Sequence, residues 1–218
     1  MKYVYAPGCA LMSYKPHLAY KLKEVVDNKY EQTETLLACC FNKPELEPGT
    51  CIITPCATCV QNYVKGFPEC TSSFFLSELA ESIDFPFPDY GGVNMSIQDT
   101  CTAKTQPQVL ESIRKLLKRM NINLVEPVYT GEKSKCCGQI FYGKLSTDKV
   151  ENLMAKRAEE MPCEDVVVYC ASCIMSMTVG GKRPRYIIDL LFGEPTYMKI
   201  TGADEWNGKL RNFRESNR

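Results

Sequence analysis

The 218-residue sequence contains a single histidine, His17. That scarcity excludes His-rich metal sites and argues against a serine or cysteine nucleophile activated by an imidazole. His17 sits beside Pro16 at the start of an expected helix and reads as a surface or half-buried side chain rather than a ligand. A charge excess is also lacking, because 26 basic and 26 acidic residues cancel. With no basic stripe to neutralise phosphates, nucleic acid is not an expected partner. No apolar run reaches the roughly 20 residues that span a bilayer. The short stretch before Cys9 is too brief for the apolar region of a secretion signal, so residues 4–9 read as the first strand and the chain is expected in the cytoplasm. Rossmann GxGxxG, ferredoxin-type cysteine runs and an evident flavin site are missing as well.

What is abundant is cysteine, thirteen in all. The count is odd, the expected compartment is reducing, and 44% of the chain is hydrophobic, enough for a core without staples. A disulfide scaffold is therefore not expected. Metal ligands, catalytic thiols and inert buried residues remain.

The cysteines repeat in order. Residues 4–9 (VYAPGC) are matched by 96–101 (SIQDTC), Cys39-Cys40 by Cys136-Cys137, and IITPCATC by VVYCASC. Each half thus carries a single cysteine, a vicinal pair and a CxxC. Amphipathic periodicity predicts helices over 13–28, with Ser13 as N-cap, over 105–120 and over 147–161. Short β-branched runs at 52–55 and 165–169 predict buried parallel strands. The alternation predicts an α/β fold of two pseudo-repeated halves, with short parallel sheets and flanking helices. Residues 1–88 form the first, shortened half, residues 93–200 the second, and 201–218 a polar C-terminal extension or docking tail containing the lone Trp206. The segment 86–92 reads as the linker.

In such a fold, ligand sites gather at the carboxyl ends of parallel strands. A CxxC that opens a helix there has its thiolates favoured by the helix dipole. All five thiols of each half can converge on one side of its sheet. Zinc takes four ligands, usually as two CxxC-like knuckles, and an ordinary cubane cluster crowds three cysteines into one run. Five cysteines in the same order twice fit an iron–sulfur cluster better than either. Zinc in one or both sets stays open as the weaker alternative.

The order single Cys, CC-Gly, CxxC resembles the CCG-domain family, which includes the B subunit of heterodisulfide reductase and the iron–sulfur subunits of lactate- and glycolate-oxidising systems. The second half carries the likeness most closely. Thirty-four residues separate Cys101 from Cys136-Cys137-Gly138, 32 separate Cys137 from Cys170, and Cys173 follows. The CCGQ-type loop and the closing segment 187–194 add to it. The first half departs: Phe41 replaces the glycine, and only 15 residues separate Cys40 from Cys56, which implies a lost helix.

The resemblance implies two noncubane four-iron clusters. Cys9, Cys39, Cys40, Cys56 and Cys59 would hold one, and Cys101, Cys136, Cys137, Cys170 and Cys173 the other. In the reductase subunit two such clusters face each other and split a disulfide, with no separate catalytic side chain. It further implies an oxidoreductase that receives electrons from a ferredoxin-like or flavoprotein partner and acts on a small disulfide or thiol substrate. A non-catalytic electron-transfer subunit with one or two clusters is the alternative. Cys51, Cys70 and Cys163 have no counterparts between the halves and read as structural thiols.

Overall fold

A computed structural model describes residues 2–31, 33–200 and 202–217. Met1, Gln32, Arg218 and Thr201, where the C-terminal extension is expected to begin, lie outside the described residues. The chain divides into two compact units, Met1–Glu78 with Gly208–Arg218, and Leu79–Asn207.

The first unit runs β1 (Tyr3–Tyr5), α1 (Cys9–Tyr14), α2 (Pro16–Tyr30), β2 (Glu34–Thr35), β3 (Cys51–Thr54), α3 (Ala57–Gly66), β4 (Thr71–Phe74) and α4 (Phe75–Glu81), the last helix passing into the second unit. Its strands form one sheet in the order β2-β1-β3-β4, all pairs parallel. Val4 pairs with Ile52, and Ile52 with Ser72. Ile52 and Ile53 are fully buried at the sheet centre, as are Leu18, Leu22 and Val26 along α2. Each such side chain contributes about 1.5–3 kcal/mol on burial.

The second unit continues with β5 (Val93–Gln98), a 3-10 turn (Cys101–Thr105), α5 (Pro107–Arg119), β6 (Ile122–Leu124), α6 (Thr147–Glu159), β7 (Asp165–Val168), α7 (Ala171–Val179), β8 (Arg183–Tyr186) and α8 (Ile187–Leu191). Its sheet has the order β6-β5-β7-β8, again wholly parallel. The two sheets thus share one topology, and the α/β fold of two repeated halves stands. No helix lies between Cys40 and β3, where the second unit has α6.

Two boundaries differ from the expectation, for one physical reason. The helix expected over 13–28 is broken at Lys15, and that expected over 105–120 starts only at Pro107. A residue before proline is driven out of the helical region. Lys15 (φ −143°, ψ 90°) is extended, and Gln106 (φ −132°, ψ 72°) likewise lies outside the helical region. The prolines then sit at the first helical position, which suits them. Ser13 therefore caps nothing; it lies inside α1, and its buried hydroxyl has no partner among the described residues. The proline break follows the single cysteine in both units and is a further mark of the duplication.

The polar C-terminal segment forms a helix, α9 (Ala203–Ser216). Trp206 is fully buried, and its Nε1 donates to Ser172 Oγ at 2.9 Å. Asp204 accepts from Tyr142 and Thr147, while Glu151 accepts from the Ala203 backbone N–H at 2.9 Å. Among the described residues, no helix is long and apolar enough to cross a membrane.

Candidate metal centre

In the first unit the chain leaves β1 at Tyr5, and Gly8 leads into Cys9 at the start of α1. Gly8 has φ 83°, and a Cβ there would lie 3.3 Å from Cys59 Sγ. Its lack of a side chain therefore serves both the turn and the approach of the thiol. Cys56 follows β3 as the N-cap residue of α3, and Cys59 lies in the first turn. Cys39 and Cys40 occupy the loop after β2. All thirteen cysteines are free thiols, and Cys9, Cys39, Cys40 and Cys59 are buried. The sulfurs of Cys9 and Cys39 are 3.6 Å apart and those of Cys40 and Cys59 are 3.8 Å apart. These are contacts, far beyond the roughly 2.05 Å of a disulfide.

The second unit repeats this placement. Cys101 opens the 3-10 turn after β5, Cys170 is the N-cap residue of α7 after β7, and Cys173 lies in that helix's first turn. Cys136 and Cys137 stand in the loop after β6, with Cys137 and Cys173 buried. The thiols of Cys101 and Cys136, of Cys136 and Cys137, of Cys137 and Cys173, and of Cys170 and Cys173 lie close enough to shift one another's titration. All ten cysteines singled out in the sequence are thus brought together, five in each unit. Cys51, Cys70 and Cys163 are not among the sulfur contacts found within either set among the described residues; the Cys70 thiol instead donates to the Glu47 carbonyl at 3.5 Å.

Crowding separates the thiols by charge. Hydrogen bonds from Cys39 and Cys59, then from Asn62, bring Cys40 down to about 4, while its bond to Cys39 and burial push Cys9 up. Hydrogen bonds from Cys101 and Cys137 bring Cys136 down to about 2, and the same bond pushes Cys101 up. Cys170 falls to about 7, chiefly through Cys173. In each set one cysteine is thus biased toward the thiolate, the form that binds metal. Among the described residues, no three Cys, His, Asp or Glu side chains form a ready-made site for a single ion. That donor set, five soft sulfurs on each unit, fits an iron–sulfur cluster, whose ordinary ligands are thiolates.

Several positioning residues were not legible in the sequence. Asn62 Nδ2 donates to Cys40 Sγ at 3.2 Å, and Ser176 Oγ to Cys137 Sγ at 3.3 Å. Both stand three residues after the last cysteine of their CxxC, so aligning CATCVQN with CASCIMS would have exposed them. In the second unit, buried Asp99 accepts from Arg114 Nη2 at 2.8 Å, the Gly131 N–H at 2.7 Å and Tyr169 Oη at 2.8 Å. This ties the residue two before Cys101 to the residue just before Cys170. Burial opposes the charge on Asp99, but Arg114 and these donors hold its carboxyl below the usual range. Gln98 in turn donates to the Lys135 carbonyl at 2.9 Å and accepts from Arg157 at 2.6 Å, anchoring the approach to Cys136. At the positions corresponding to Asp99 and Tyr169 the first unit has Pro7 and Pro55.

Gly138 completes the second loop. It has φ 102°, and a Cβ would meet Met154 of α6 at 2.7 Å. Its first-unit counterpart, Phe41, is exposed.

Among curated proteins, none matches the chain. Residues 95–178 match the family model of the cysteine-rich CCG domain, a span that contains Cys101, Cys136, Cys137, Cys170 and Cys173. With its glycine, its spacing and its thiols in place, the second half of this chain is similar to the cysteine-rich CCG domain over that span.

Proposed function

We propose that the protein is an iron–sulfur redox subunit that reduces a small disulfide, or a related sulfur compound, with electrons from a partner protein. The observation that carries this reading is the matched pair of thiol sets. Two five-cysteine groups stand at the carboxyl ends of two parallel sheets of the same strand order. Cys9, Cys39, Cys40, Cys56 and Cys59 would hold one noncubane four-iron cluster, and Cys101, Cys136, Cys137, Cys170 and Cys173 the other. When bound, each cluster supplies one electron at a time. Two electrons and two protons turn one disulfide into two thiols, which accounts for two sets in one chain. Asn62 and Ser176 would hold their respective thiolates in place, and the Asp99 network would fix the separation of Cys101 and Cys170.

Since the sequence carries no Rossmann fingerprint or ferredoxin run, we assign the electron supply to a ferredoxin-like or flavoprotein partner. We place the protein in the reducing cytoplasm, where thiol ligands stay reduced.

The test is anaerobic purification followed by iron, acid-labile sulfide and zinc analysis with paramagnetic spectroscopy. About eight irons per chain are expected, as two four-iron clusters require. Zinc without iron would refute the redox reading. Activity is then assayed with a reduced low-potential donor and a panel of disulfides. Full iron with no turnover of any of them would favour a non-catalytic electron carrier. Cys137→Ala should lose the second cluster alone.

A further inference from the structure

The two thiol sets share their neutral donors, Asn62 and Ser176, at matching positions. A cation breaks the symmetry. Arg214 lies on α9, which follows the second repeat and so has no counterpart in the duplication. From Gly208 onward that helix belongs to the first unit. There, Asn42 Nδ2 donates to the main-chain oxygens of Arg214 at 2.8 Å and Asn217 at 3.4 Å. The last turn of α9 is thus pinned beside the residue two places after Cys40.

The Arg214 guanidinium lies over the Phe41 ring, with Cζ 5.2 Å from the ring centre. It is half-buried, and its positive charge lies close to the thiols of Cys9, Cys39 and Cys40. Its Nε–H is buried and has no hydrogen-bond partner among the described residues. Buried donors are nearly always satisfied, so an orphan of this kind calls for an acceptor. The first unit, which lacks a counterpart of α6, instead has the end of α9 beside its cysteine pair.

We propose that Arg214 is a positioning residue of the first metal centre, donating to the sulfur of Cys9 and to a cluster held there, and raising that cluster's reduction potential. This rests on the proposed reading that the first five-cysteine set holds a cluster. Reduction transfers one electron from an external donor to the centre, adds one negative charge, and makes or breaks no bond to Arg214. A fixed guanidinium beside the centre stabilises the reduced state over the oxidised one. Hydrogen bonds to the sulfurs and local charge are the terms that set such potentials.

The test compares the wild-type chain with Arg214→Gln and Arg214→Lys, purified anaerobically. Iron is counted per chain, and dithionite titrations are followed by paramagnetic resonance. Cys40→Ala identifies the first centre as the redox wave it abolishes. In Arg214→Gln the iron count is expected to hold while the first wave shifts about 59 mV negative, a tenfold change in a one-electron equilibrium. The second wave should not move, and Arg214→Lys, which keeps the charge but not the planar fork, should recover part of the shift. If Arg214→Gln fails to load the first centre and Arg214→Lys loads it, the need for the charge is likewise supported. Two loaded centres with an unchanged first wave in Arg214→Gln would overturn the role of Arg214 alone. Loss of the first cluster in both variants would mark a purely structural role and overturn it too. Iron fully retained in Cys40→Ala would instead overturn the first-set cluster, and the role of Arg214 with it.

Discussion

Replacing Gly138 with alanine perturbs the second cysteine loop at the point where α6 covers it. The residue adopts φ 102° and ψ −25°, and a left-handed backbone costs a residue with a Cβ about 1–2 kcal/mol. The new methyl would lie 2.7 Å from Met154 Cγ, 3.2 Å from the Met154 backbone nitrogen and 3.4 Å from its Cα. The first contact is with a flexible side chain and can relax. The other two are with helix backbone and relax only if α6 shifts. Overpacking of this kind costs about 1–3 kcal/mol, so the whole effect is about 2–5 kcal/mol, out of the roughly 5–15 kcal/mol of a typical fold.

Urea denaturation followed by circular dichroism, with variants compared at equal slope, measures the loss. Met154→Ala separates the contributions, because it removes Cγ and leaves the backbone contacts. Alone it should cost about 2–5 kcal/mol, Met154 being fully buried. Combined with Gly138→Ala it should cost less than the sum, by about 1 kcal/mol of coupling. A loss below about 1 kcal/mol for Gly138→Ala, or strict additivity in the pair, would refute the steric account.

Three further outcomes follow from the geometry. Changing Cys51, Cys70 and Cys163 together to alanine should leave iron per chain unchanged, and a loss of iron would bring one of them into the sites. Asp99→Asn should cost about 1–3 kcal/mol near neutral pH by removing the buried carboxylate that half-buried Arg114, the Gly131 N–H and Tyr169 share, although Arg114 keeps Glu126. Because the Asp99 pKa is depressed in the folded state, its contribution is present above the unfolded value of about 3.9 and fades as pH falls through the folded value. The wild-type and variant stabilities should therefore converge in acid, and a gap that stayed constant from neutral pH to about 3 would contradict this. Trp206→Ala should cost about 3–5 kcal/mol, since the ring is fully buried and its N–H is bonded to Ser172; a loss typical of a surface residue would show that α9 contributes little to the fold.

The inner strands β1, β3, β5 and β7 and the ten grouped cysteines were legible in the sequence because inner parallel strands are apolar runs and cysteines mark their own positions. By contrast, β2, β4, β6 and β8 are too short or too polar to stand out. Local backbone chemistry was less visible. The apolar spacing of residues 13–28 continues through Lys15, and only the restriction that Pro16 imposes on its predecessor breaks the helix. Asn62, Ser176 and Asp99 are polar residues of ordinary type, whose roles exist only once the sulfurs and carboxylate are close in space. Arg214 is further hidden, lying more than 150 residues from the thiols it serves.

The two departures of the first half, read separately from the sequence, are one structural change. Gly138 must be glycine because it is left-handed and because the Met154 backbone presses on it. The first unit has no helix between Cys40 and β3, so nothing corresponding to Met154 stands over Phe41, which is 61% exposed. Phe41 is also absent from the residues of positive φ. Without the covering helix the demand for glycine disappears, and a side chain is admitted that can stack on the Arg214 guanidinium. The missing glycine is thus no sign of a decayed thiol site. Phe41→Gly should lower stability through loss of the ring contact and added backbone freedom, by about 1 kcal/mol. A gain in stability from Phe41→Gly would show that the first loop still requires a glycine even without the helix.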